Sequence, residues 1–95
     1  MATQYRNRLT MISDVLFAAL NSGSEGGASS SALMRRCNLS YRGLEALAGQ
    51  LIEAGLLTRL DKDRSVRYVV SEKGCRYLEQ VREFEAFSES YGLRL

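Results

Sequence analysis

The hydrophobic pattern changes its period at Gly55, and this change restricts the fold more than any other feature of the sequence. Upstream, four apolar residues recur at helical spacing: Leu44, Leu47, Ala48 and Leu51. Ser40 supplies an N-cap for this helix, which runs to about Ala54 and is stopped by Gly55. Downstream, the runs LLTRL and VRYVV are β-prone and flank the charged tip DKDRS. A helix followed directly by a β-hairpin is therefore predicted.

Three further helices are predicted around this unit. The first covers about residues 6–21, with one apolar face formed by Leu9, Ile12, Leu16, Ala19 and Leu20. A short second helix, about residues 30–37, begins at a run of serines that can cap it. The last begins after Ser71 and runs to about Tyr91. The stretch SGSEGGASS, residues 22–30, has no periodicity and is predicted to be a loop.

The order helix, helix, helix, hairpin, helix defines the fold class. It predicts a mainly α, α+β protein: a winged helix-turn-helix of three helices and a β-hairpin wing, with an added C-terminal helix. We expect one continuous domain, in which residues 1–75 form the winged helix-turn-helix and residues 76–95 a dimerisation helix. A chain of 95 residues is long enough to bury one modest core.

Composition removes most catalytic chemistry. The chain has no histidine, and so it lacks the usual general base and any Ser-His or Cys-His pair. Its two cysteines, Cys37 and Cys75, are far apart in sequence and are expected to be small buried hydrophobes. Neither a metal site nor a phosphate-binding glycine motif can be identified, and no cofactor is expected. With no apolar run of about 20 residues and no signal peptide, a cytoplasmic protein that is not an enzyme is predicted.

The charge is unevenly distributed, although the net charge is only +2. Six basic residues against three acidic ones lie between Arg59 and Arg76, and Arg35, Arg36 and Arg42 form a second basic group. The C-terminal helix is richer in glutamate. This asymmetry indicates one surface that faces a polyanion and one element that faces solvent or a second copy.

Two stretches of the sequence resemble a known family. CNLSYRGLEALAGQLIEAGLL and, after the charged wing, VVSEKGCRYLEQVREF are similar to small archaeal winged-helix DNA-binding proteins, among them the ArnR-like regulators and dimeric chromatin-associated proteins. The matching motifs are residues 38–41, 51–57 and 71–74. The resemblance implies a transcriptional regulator or DNA-organising protein that forms homodimers through an antiparallel coiled coil of the C-terminal helix.

A double-stranded DNA interface follows from these features. Arg42 and Gln50, on the outer face of the third helix, have side chains suited to guanine and adenine edges. The resemblance places Arg35 and Arg36 against the phosphate backbone, and the wing against the minor groove or its phosphates. The predicted contacts are Arg35, Arg36, Ser40, Tyr41, Arg42, Gln50, Lys62, Arg64 and Arg67. Plain solvated surface is the alternative, and Glu45 could pair with Arg42 or Arg35 as easily as it reads a cytosine.

The aromatic residues of the last helix predict a homodimer. Phe84, Phe87 and Tyr91 lie beyond the part that can pack on so small a domain, and leaving each exposed forgoes about 1.5–3 kcal/mol. The predicted interface is Tyr77, Leu78, Val81, Phe84, Phe87 and Tyr91. The alternative is a monomer in which these rings fold back onto Tyr5 and Leu9 of the first helix.

Two other functions remain compatible with the sequence. A winged helix can act as a protein-protein interaction module without binding DNA, which would suit the low net charge and the acidic residues on the third helix. A small-molecule sensor would hold its ligand at the dimer interface among Tyr77, Phe84 and Phe87.

Overall fold

The computed structural model describes residues 7–21 and 27–94, and for Lys62 the backbone alone. Residues 22–26 of the predicted loop lie outside the described residues. So does Tyr5, onto which the rings of the last helix would fold in the monomer. The elements follow in the order α1 (Arg8–Asn21), β1 (Ala28–Ser29), α2 (Ser30–Cys37), α3 (Tyr41–Glu53), β2 (Leu57–Lys62), β3 (Ser65–Val70) and α4 (Glu72–Glu89). The predicted winged helix-turn-helix with an added C-terminal helix is confirmed.

Helix α1 begins where Asn7 Oδ1 accepts a hydrogen bond from the Thr10 backbone N–H at 2.8 Å. It buries four residues, Val15, Leu16, Ala18 and Ala19. Leu9 and Leu20, which were predicted to share this buried face, are exposed instead. The buried stripe is centred between Val15 and Ala19, and a turn of roughly 100° per residue leaves Leu9 and Leu20 at its margin.

The sheet has three antiparallel strands in the order β1-β3-β2. Strand β1 corrects the sequence prediction, because Ala28 and Ser29 were assigned to a loop and instead pair with Tyr68 and Arg67. Gly27 precedes β1 at φ +87°, and a Cβ there would lie 2.7 Å from the Tyr68 carbonyl oxygen. A glycine is thus needed where the chain enters the sheet.

Helix α4 is joined to the end of α3 by one side chain. Ser71 Oγ accepts from the Gly74 N–H at 3.0 Å and donates to the Gly55 carbonyl oxygen at 2.6 Å. Gly55 itself ends α3 at φ +83°, with the Leu56 N–H bonded to the Leu51 carbonyl oxygen at 2.9 Å. The two helices are therefore fixed relative to each other by caps that the sequence predicted.

One core lies between the helices and the inner face of the sheet. Its largest fully buried side chains are Tyr68, Leu16, Leu33, Leu44 and Val15. Tyr77 and Leu78 of α4 pack against this core, whereas Phe84, Phe87 and Tyr91 are exposed. The predicted division after residue 75 falls inside the continuous helix α4.

The described residues include no helix that is both long and apolar enough to cross a membrane.

Candidate nucleic-acid interface

The turn between α2 and α3 is held by local hydrogen bonds. Asn38 adopts the left-handed conformation at φ 55°, which few residues other than glycine and asparagine tolerate, and the Leu39 N–H bonds back to the Met34 carbonyl oxygen at 3.0 Å. Ser40 then begins α3, its Oγ accepting from the Gly43 N–H at 3.0 Å. Ser40, which is also a predicted DNA contact, thus serves as the N-cap and lies at the exposed N-terminus of α3.

The outer face of α3 is open to solvent. Leu44, Leu47, Ala48 and Leu51 are buried as the periodicity predicted, which turns Tyr41, Arg42 and Gln50 outward. A Cβ at Gly49 would meet no atom within 4 Å, so the centre of this face has a low profile. Its shape and side chains suit a helix that lies in a groove.

Tyr41 and Glu45 form a pair on this face. The Tyr41 hydroxyl donates to Glu45 Oε2 at 2.9 Å, and hydrogen bonding to this carboxylate raises the pKa of the phenol. Glu45 therefore pairs with Tyr41, one turn earlier on the same helix, and not with Arg42 or Arg35, the two partners that the sequence suggests. Spacing of i and i+4 could have suggested it.

The two arginines of α2 have different surroundings. Both are exposed and lie in the last turn of the helix, where positive charge also favours the helix dipole. Arg36 lines a shallow groove with Asp14 and Phe17 of α1. Arg36 therefore lies beside α1, and this position distinguishes it from Arg35.

The wing is tighter than predicted. Strand β2 continues to Lys62 and β3 begins at Ser65, leaving a two-residue turn of Asp63 and Arg64 in place of the expected five-residue tip. Both turn residues have positive φ, 50° and 67°, which is the mark of a type I′ hairpin. Arg64 is exposed at the end of the wing, and Lys62 stands one residue before the turn, its side chain outside the described part of the chain.

Arg67 has a structural contact that the sequence did not reveal. Its side chain is half-buried, and Nη1 donates to the Gly27 carbonyl oxygen at 3.2 Å. This bond spans forty residues of sequence and holds the segment before β1 beside β3. Arg67 still carries further guanidinium donors, but it differs from Arg64 in supporting the fold.

One basic residue of the sheet, Arg59, is not among the DNA contacts that the sequence predicts. Arg59 of β2 lies opposite Tyr68 and contacts Asp61, its Nε 3.2 Å from Asp61 Oδ1. The two side chains share one face of the strand because residues i and i+2 do so. That rule, applied to the run TRLDK, was the signal that could have found the pair.

Comparison with known proteins agrees with this geometry. The model of the winged helix-turn-helix family matches residues 5–89, and the chain therefore belongs to this family. The fold is similar to that of Sso10a-2, a DNA-binding protein from Sulfolobus solfataricus, with a TM-score of 0.75 and 19% identity over 90% of this chain and 85% of that one. The predicted resemblance to a small archaeal DNA-binding protein is thus confirmed.

A second solved structure shares the fold. A transcriptional regulator of the MarR family from Rhodococcus sp. RHA1 matches with a TM-score of 0.68 and 19% identity, over 83% of this chain and 60% of that one. Comparison with curated proteins gives no match. At these identities the two structures establish the common fold.

Proposed function

We propose that this protein binds double-stranded DNA as a homodimer and acts as a transcriptional regulator or chromatin-associated protein in the cytoplasm. The observation that carries the proposal is the open outer face of α3, which presents Arg42 and Gln50 beside a wing ending in Arg64. Membership of the winged helix-turn-helix family and the fold shared with Sso10a-2 support it.

Phosphate contacts position the protein, and a few side chains read bases. In the proposed complex α3 lies in the major groove, where Arg42 can bind a guanine and Gln50 an adenine. Arg35 and Arg64 reach phosphates on either side of it. Neutralising three to five phosphates per protomer gives a plot of log K against log salt with a slope of about −3 to −5.

The second half of α4 is the proposed dimer contact. Phe84, Phe87 and Tyr91 are 54%, 58% and 68% exposed, so the alternative in which they fold back onto α1 finds no support in the described residues. Phe17 and Leu20 of α1 are also exposed, and they line a groove of about 530 Å³ whose α4 side includes Glu79, Arg82 and Glu85. We therefore extend the predicted interface to α1. Tyr77 and Leu78 contribute mainly to the protomer's own core.

The experiment is fluorescence anisotropy of a labelled mixed-sequence duplex, titrated with protein between about 50 and 200 mM salt. The test variant is Arg64→Gly, because glycine favours the positive φ of this turn and the wing keeps its shape. We expect weaker binding and a slope shallower by about 1 per protomer. Arg76→Gln, which removes the same charge from the exposed side of α4, is the matched control and leaves the slope unchanged.

Absence of binding at the lowest salt concentration would contradict the proposal and favour the protein-protein interaction module. Glu45 and Glu53 on the outer face of α3 make that module the second candidate. Binding with equal slopes for wild type and Arg64→Gly would remove the wing tip from the interface while keeping DNA as the ligand.

A further inference from the structure

Strand β2 emerges from the core as it approaches the wing. Leu57, at its start, is buried, whereas Arg59 and Asp61 on the same face are exposed. Their side chains are 44% and 71% exposed, and Arg59 Nε donates to Asp61 Oδ1 at 3.2 Å. The face they occupy is the one that Tyr68 and Val66 present on β3, and it is turned toward the helices.

Arg59 also interacts electrostatically with two residues of α3, Tyr41 and Glu45. The hydrogen bond to Glu45 is the main cause of the raised pKa of Tyr41, whereas the positive charge of Arg59 lowers this pKa. The hydrogen bond to Asp61 raises the pKa of Arg59, and Glu45 adds to this in a smaller measure. Arg59 thus contacts one carboxylate, Asp61 on its own strand, and interacts more weakly with the charge of a second, Glu45 on α3.

We propose that Arg59 is a DNA phosphate contact which Asp61 occupies in the free protein, so that Asp61 limits the general affinity of the protein for DNA. This inference rests on the proposed DNA-binding function and names a regulating residue within that site. An exposed ion pair is weak enough to be exchanged, because solvent screens it and both side chains regain freedom when it opens. A phosphate that takes the place of Asp61 finds the guanidinium already on the sheet face that is turned toward the helices.

Asp61 therefore discriminates between DNA sites. A site that places a phosphate at Arg59 gains a charge-assisted hydrogen bond in exchange for the one it breaks. A site that brings no phosphate there leaves the pair intact and presents the carboxylate to the DNA backbone, which repels it. General affinity is lowered more than affinity at a well-fitting site.

The test compares two asparagine variants that remove the same charge from the same hairpin. Asp61→Asn releases Arg59, whereas Asp63→Asn acts in the turn, at φ 50°, where asparagine is well tolerated. Both are measured by the anisotropy titration with a mixed-sequence duplex. We expect Asp61→Asn to bind about two- to fivefold more tightly than Asp63→Asn, and its log–log salt slope to be steeper by about 0.9 per protomer.

The Arg59→Gln background shows whether the effect passes through the arginine. There, Asp61→Asn and Asp63→Asn are expected to bind equally well. Equal affinities and slopes of the two variants in the wild-type background would overturn the inference, as would an Asp61→Asn gain that persists without Arg59. In both cases wild-type binding would continue, so the proposed DNA-binding function would stand; loss of wild-type binding itself would remove both.

Discussion

At the scale of the residue, alanine substitutions at two helical glycines are expected to change stability in opposite directions. A Cβ on Gly74 would overlap the Leu56 carbonyl oxygen and lie 2.6 Å from Val70 Cγ1, while a Cβ on Gly49 would meet nothing within 4 Å. We expect Gly74→Ala to lower the free energy of unfolding by about 1–3 kcal/mol, because the backbone at Leu56, just before β2, must move. Gly49→Ala, the control, should raise it by about 0.5–1 kcal/mol through the better helix propensity of alanine.

Urea denaturation of both variants measures the difference. Unchanged stability of Gly74→Ala would show that α4 can shift away from the strand at little cost, and the close contact between α4 and the β2 region would then not constrain the fold.

The residues whose roles the sequence predicted are those that act through near neighbours. Ser40 and Ser71 cap their helices because the cap is a bond to the residue three positions later, which spacing alone determines. Arg67 is the contrary case. Its bond to Gly27 depends on the pairing of β1 with β3, and no local pattern specifies that register. Arg59 lies between these cases, since strand periodicity places it beside Asp61, whereas its weaker interaction with the charge of Glu45 on α3 depends on the tertiary fold.

At the scale of the element, Ser71 connects the end of α3 to the start of α4. Its hydroxyl caps α4 and at the same time satisfies the carbonyl of Gly55. We expect Ser71→Ala to cost about 1–3 kcal/mol of stability, since both a cap and a donor to a backbone carbonyl are lost. Ser40→Ala, which removes a cap alone, is expected to cost about 1 kcal/mol.

Thermal unfolding of the two serine variants under the same conditions tests this difference. If Ser40→Ala proved as costly as Ser71→Ala, the side-chain bond to Gly55 would contribute nothing to stability. The link between α3 and α4 would then rest on the backbone bond from the Ser71 N–H to the Leu56 carbonyl oxygen and on side-chain packing.

The elements that the sequence predicted are those with a period of their own. All four helices and both wing strands follow from apolar spacing and caps, with boundaries close to those observed. Strand β1 could not be predicted, because two residues have no period, and the strand exists only where β3 offers an open edge. The short turn of Asp63 and Arg64 was also missed, since its sequence lacks the glycine typical of a type I′ hairpin.

At the scale of the whole molecule, several large apolar side chains in the described part of the chain are exposed. Exposed large side chains are concentrated on α4 beyond its contact with the core, on α1 beside it and on the turn that ends α4: Phe17, Leu20, Phe84, Phe87, Tyr91 and Leu93. The end of α4 is itself well ordered by hydrogen bonds, with the Leu93 N–H bonded to the Ser88 carbonyl oxygen at 3.0 Å and Gly92 at φ +80°. Large apolar side chains that are exposed on an ordered segment are expected at an interface.

The periodicity of α4 indicated this surface in advance, but only the fold could add α1 to it. Phe17 and Leu20 looked like members of an ordinary amphipathic helix, and their exposure follows from how α1 is rotated against the core. The groove between α1 and α4 likewise results from the packing of the two helices, which no local pattern of the sequence specifies.

The proposed homodimer predicts a mass and a stability that depend on protein concentration. Sedimentation should give about twice 10.6 kDa at micromolar concentrations, and Tm should rise with protein concentration. Phe84→Ala combined with Phe87→Ala is expected to weaken association by about 2 kcal/mol or more, because aromatic residues at the centre of an interface carry much of its energy. The protomer should remain folded, since both rings are more than half exposed in it.

Leu60→Ala, on the outer face of the sheet, is the control and should leave association unchanged. A wild-type protein that sediments as a 10.6 kDa species at every concentration would contradict the dimer, and each DNA half-site would then be bound by one protomer alone.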